Sequence, residues 1–93
     1  MNADLRDVRL RKQMAANLRF VGEHADDLTA AYAVRADAYD VVIQGERDAL
    51  AVLVAKFGAV LDERKTDDNY REWTATVDGV QVRLIEERWE RES

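Results

Sequence analysis

Asp78-Gly79 lies inside the stretch Arg71 to Glu87, between two runs of alternating apolar and polar residues. This is the strongest short-range hairpin signal a sequence carries, because the primed two-residue turn needs positive φ at both central positions. The turn predicts Val77 opposite Val80, Ala75 opposite Val82 and Trp73 opposite Leu84. Side chains alternate along a strand, so these six share one face. The opposite face takes Glu72, Thr74, Thr76, Gln81 and Arg83, with Ile85 as its one apolar member. One face is for a core, the other for water or a partner.

Upstream, Asp4 to Asp7 resembles a helix start. Leu10, Met14, Leu18, Val21, Ala25 and Leu28 then recur at spacings of three and four, the stripe of an amphipathic helix over about residues 4–26. Thr29 to Ala38 is open between strand, helix and loop; an irregular lead-in to a strand over Ala38 to Gln44 is favoured, since Val41, Val42 and Ile43 suit a pleated surface. Glu46 to Phe57 predicts a second helix, with Leu50, Leu53, Val54 and Phe57 inward and Gly58 as its left-handed terminus. Ala59 to Lys65 follows as a strand with Leu61 inward, or Val60 if the register slips. Thr66 to Asn69 is a turn.

The expected fold class is therefore α+β, in the order α-β-α-β-β-β. Three strands form a meander, the strand before helix 2 inserts or adds at an edge, and both helices pack on one face of a four-stranded, mostly antiparallel sheet. The 93 residues make one domain: a basic N-terminal helix, a β-α-β-β-β unit over about residues 38–87 and a charged tail over 88–93.

Composition narrows the function classes. There is no cysteine, hence no disulfide framework and no thiolate metal site. No apolar run approaches the ~20 residues of a membrane span and no signal-peptide core is visible, so the expectation is a cytoplasmic protein without membrane insertion. Net charge is −5, divided as +2 over residues 1–24 and −7 over the rest. An acidic body repels polyphosphate, which makes nucleic acid an unfavoured partner.

No catalytic motif is present, and the expectation is a protein that is not an enzyme and takes no cofactor or metal. His24 beside Asp26 and Asp27 has no nucleophile and no second histidine to work with, so a solvated helix-end residue is the simpler account. Asp67-Asp68-Asn69 lacks the central glycine and closing glutamate of a calcium loop and is better taken as a turn. Arg6, Arg9, Arg11 and Lys12 give a basic helical segment suited to an acidic protein surface, to phosphates, or simply to water. Trp89, in a tail of acids and arginines, is either an interface anchor or a cover for one end of the sheet. Ile85 adds to the interface side. A sheet with one uncovered face is also a surface on which homodimers form.

Leu18-Arg19-Phe20 before Glu23-His24-Ala25-Asp26, a Val-rich strand, Phe57-Gly58 closing a short helix, and Tyr70-Arg-Glu-Trp73-Thr with Val77-Asp-Gly-Val80 carry a resemblance at the level of pattern. Over about residues 15–87 the chain resembles the small accessory, non-structural proteins of actinobacterial phages. That family has no established activity, so no functional residue transfers. The resemblance implies a non-enzymatic protein of the host cytoplasm that binds a host protein, in host takeover or superinfection exclusion. The alternative is a DNA-binding accessory protein or regulator using Arg6, Arg9, Arg11 and Lys12.

Overall fold

The fold was obtained as a computed structural model that describes residues 5–46 and 48–87. The hairpin forms as its turn dictates. Asp78 and Gly79 have φ of 50° and 80°, and Val77↔Val80, Ala75↔Val82 and Trp73↔Leu84 are the observed pairs. Strands β4 (Tyr70–Val77) and β5 (Val80–Glu87) are its arms.

The rest of the sheet departs from the expected four-stranded meander. The chain is α+β, with two α-helices and a five-stranded mixed sheet in the order β1-β2-β5-β4-β3. Residues 29–37, left open by the sequence, supply the end of a 3-10 turn (Asp27–Ala30) and strand β1 (Ala33–Ala36). Strand β2 (Val41–Glu46) pairs antiparallel with β1 and parallel with β5, from Val41↔Val82 to Glu46↔Glu87. It is therefore an interior strand, which explains why Val41, Val42 and Ile43 are all buried: a strand covered on both faces reads as a continuous apolar run. Tyr39 is not in it. It sits in the β1–β2 turn, where the Asp37 carboxylate accepts the N–H groups of Tyr39 and Asp40 at 2.7 and 3.0 Å.

Helix α2 is shorter than expected, Ala51–Phe57 rather than Glu46 to Phe57. Asp48 has φ of 70° and gives its N–H to the buried Glu86 carboxylate at 2.6 Å, and a left-handed residue cannot continue a right-handed helix. Seven residues do not hold a helix in water; Leu50 just before it and Leu53 within it are buried, each contributing about 2 kcal/mol of transfer free energy. Gly58 closes it at φ 62°. Strand β3 covers only Val60–Leu61, Leu61 inward beside Trp73 and Val60 exposed. It stops because Asp62 accepts the Arg64 N–H and turns the chain into a 3-10 segment, Glu63–Lys65.

Helix α1 (Leu5–Glu23) needs no special account: it is rich in Leu and Arg and holds no proline. Its buried face is the correction. Phe20 and Asn17 are its buried residues, while Leu18 of the expected stripe is 52% exposed. The helix is turned by about a quarter of a revolution, at 100° per residue. Asn17, fully buried, donates to Asp37 O at 2.7 Å and accepts from Gln13, which also reaches Gly79 O. Polar bonds to two hairpin turns, rather than a leucine row, set its rotation. Phe20, Leu50 and Leu53 meet Val41, Ile43, Val82 and Leu84 in one core on one face of the sheet.

Candidate partner-binding surface

The basic residues of α1 lie on its outside. Arg6, Arg9, Arg11 and Lys12 are all exposed. At 100° per residue, Arg6, Arg9 and Lys12 form a slanting row and Arg11 points away from it. From Leu5 to Ala16 no side chain is buried, and Leu5 is 71% exposed. The Cα radius of gyration is 15.0 Å, against about 12 Å for a compact chain of this length.

Ile85 does not join this surface. It is 5% exposed, between Gln44 of β2 and Glu72 of β4 on the outer face, so its side chain is packing, not contact area. Trp89 and the tail over 88–93 lie outside the described residues.

The outer face of the hairpin, expected to be open, is partly closed by a charged cluster that was not legible. Glu72 is 1% exposed. Its carboxylate accepts two bonds from Arg83 (3.1 and 3.0 Å), one from Tyr70 Oη (2.9 Å) and one from Lys65 Nζ (3.3 Å). Lys65 arrives on the 3-10 segment, so the chain after β3 folds over this end of the face. Arg83 foremost, against the cost of burial, holds the Glu72 carboxyl down at about 2. Burial, with the bond to Glu72, pushes the Tyr70 phenol up to about 12. Four donors occupy the carboxylate's acceptor sites, leaving Glu72 ionised and fully engaged. Such a group is suited to holding a fold and has no capacity left for proton transfer.

A second buried carboxylate closes the core face. Glu86 is 3% exposed, accepts Trp73 Nε1 at 2.8 Å and the Asp48 N–H, and lies 3.4 Å from Arg71. It ties the entry of α2 to the hairpin.

His24 is not solvated as expected. Its ring packs between Phe20 and Phe57 at centroid distances of 4.5 and 5.2 Å, with Nδ1 3.8 Å from Asp27. Asp27 is paired to Lys56, which chiefly lowers its pKa. Asp67 accepts the Asn69 N–H and donates its own to Tyr70 O, the bonding of a turn. Among the described residues, no three His, Cys, Asp or Glu side chains converge to hold a metal ion, and no helix is long and apolar enough to cross a membrane.

Arg35 is a residue that sequence reasoning did not single out. Its side chain is exposed on β1 and holds no hydrogen bond or ion pair among the described residues, although its charge helps lower the pKa of Asp37. With Tyr39, Asp40 and Arg83 it rims a cleft of about 660 Å³ over Val42. No family model, curated protein or solved structure matches the chain.

Proposed function

We propose that the chain is a non-enzymatic accessory protein of the actinobacterial phage type, and that it binds a host protein through the basic N-terminal half of α1. One observation carries this reading: eight successive residues, Leu5 to Lys12, form helix with no side chain buried and only Val8 and Leu10 half-buried. An amphipathic helix draws most of its stability from packing, so one whose first turns are only partly covered gains by acquiring a partner. Arg9, Arg11 and Lys12 select an acidic partner, since opposite charge steers encounter and suppresses wrong contacts.

Capture from host lysate with the wild-type chain and with Arg9→Glu/Lys12→Glu tests the reading. A partner that is retained by the first and lost by the second supports it; equal retention by both removes α1 as the site. The DNA-binding alternative uses the same residues. It predicts a log–log salt slope of about −0.9 per phosphate contact in a mobility-shift titration, and the acidic body, −7 over residues 25–93, stands against it.

A further inference from the structure

The two edges of the sheet are finished differently. The hairpin bonds β4 to β5 at residues 71, 73, 75 and 77, so the backbone groups of 70, 72, 74 and 76 face the outer edge. The segment after α2 takes up most of these: Val60 pairs with Thr74, Asp62 N–H donates to Glu72 O, and Asp67 N–H to Tyr70 O. That edge is closed except at Thr76.

Among the described residues, the β1 edge has no such cover. Asp37 N–H bonds Asp40 O at the turn, and bonded pairs alternate from there along Arg35↔Val42 and Ala33↔Gln44. The N–H and C=O groups of Val34 and Ala36 therefore point away from the sheet. Such a row is a template for another strand. Its chemistry is specific. On the core face, Val34 and Ala36 are half-buried extensions of the apolar core. On the outer face, Arg35 presents an exposed guanidinium beside the cleft, close enough to Asp37 to help lower that carboxyl's pKa, with Arg83 beyond Val42 in the same cross-strand row.

We propose that β1 is a strand-addition site for an extended segment of a partner protein, apolar where it meets the core face and acidic opposite Arg35. The inference rests on the reading of the chain as a binding protein and names what the partner offers. A second copy is the weaker occupant. The antiparallel register that uses the four groups of both chains pairs Val34 with the other copy's Ala36, and sets Arg35 directly against its counterpart, a repulsive cross-strand pair.

The test uses the full chain and two short labelled peptides, one alternating valine with glutamate and one alternating valine with lysine. Binding is followed by anisotropy, and amide exchange is read at Val34 and Ala36. The valine–glutamate peptide is expected to bind about tenfold tighter at low salt and to slow exchange at Val34 and Ala36. Arg35→Glu reverses the preference, and Arg9→Glu/Lys12→Glu leaves it within about twofold. The peptide methylated on the backbone nitrogens that face the edge loses binding, which needs no change to the protein. The proposal is overturned by an unchanged preference in Arg35→Glu, by protection elsewhere than β1, by saturation with neither peptide, or by protection of Val34 and Ala36 that rises with protein concentration alone. Lysate capture lost in Arg9→Glu/Lys12→Glu while the peptide response persists separates failure at the edge from failure at α1.

Discussion

Glu72→Gln is the substitution that most directly weighs the outer-face cluster. In the folded chain the Glu72 carboxyl sits at about 2, against 4.5 in an unconstrained glutamate. A separation of about 2.5 units corresponds to roughly 3 kcal/mol favouring the ionised form in the native state. The sign follows from the direction. A depressed folded pKa contributes its full stability above the unfolded value and loses it as pH falls through the folded one, so this increment is present above pH 4.5 and disappears towards pH 2. Glutamine keeps an acceptor for Tyr70 but removes the charge facing Arg83 and Lys65. Arg83 is 35% exposed and Asp40 lies 3.8 Å from it, so the stranded guanidinium keeps some water and one acid. The expected loss at neutral pH is therefore about 2–3 kcal/mol, below the 3–5 of a fully buried pair. Urea unfolding of both proteins at pH 7, 4 and 2 is the assay; at about 1–1.5 kcal/mol/M for a chain of this size, the midpoint falls by about 2 M at pH 7. The gap between the two proteins must shrink towards zero at pH 2, where wild-type Glu72 is half or more protonated. A difference under about 0.5 kcal/mol at pH 7, or one that persists unchanged at pH 2, refutes the account.

Gly45→Ala is expected to lose about 1–3 kcal/mol by overpacking, because a Cβ there would lie 2.9 Å from Cδ2 of the buried Leu50; a thermal midpoint lowered by about 4–8 °C per kcal/mol checks it. Asn17→Ala strands the Asp37 carbonyl and frees Gln13, for a loss of about 1–3 kcal/mol, and exchange protection should fall in α1 before it falls in β5. Tyr70, raised to about 12 from 10.0, contributes stability that is complete below pH 10 and lost as pH rises through 12. Tyr70→Phe removes that alkaline step, visible as a missing component in the phenolate titration, and weakens the neutral fold by about 1 kcal/mol through the lost bond to Glu72.

What the sequence disclosed was what neighbouring residues determine. Asp78-Gly79 dictates the hairpin register because the turn and the alternation it joins are contiguous, and Gly58 marks a helix end by the same local logic. The parallel β2–β5 pairing was illegible, since nothing in Val41–Glu46 names a partner so far down the chain. Strand β1 was obscured by its alanines, which favour helix on propensity while the alternation of Tyr32, Val34 and Ala36 favours strand. The rotation of α1 misled the apolar stripe because Asn17 is buried for its hydrogen bonds, and hydrophobic periodicity does not count an amide. Glu72 was placed on the face left to water or a partner, and Glu86 drew no reading, for the same reason: a buried carboxylate is recognisable only once its donors, here Arg83, Lys65, Tyr70 and Trp73, have been brought to it. Of the expected site, the basic row on α1 is exposed as its helical spacing implied. Ile85 is withdrawn into the outer face, because its cross-strand neighbours could not be known before the sheet order was.

The β2–β5 seam divides the chain in a way its single core conceals. Residues 5–46 supply α1, β1 and β2, and residues 48–87 supply α2 and β3 to β5; each half pairs its own strands antiparallel, and the ladders of the two halves meet only along β2–β5, between residues 41 positions apart. The hairpin closes a two-residue loop, whereas the seam must close one of about forty before any of its bonds reward it. Loop closure thus predicts that the two halves join after the hairpin forms, checked by whether fragments cut beside Asp48 reassociate on mixing. On that expectation assembly is a docking reaction conducted within one molecule, at the effective concentration that the covalent link between the halves sets.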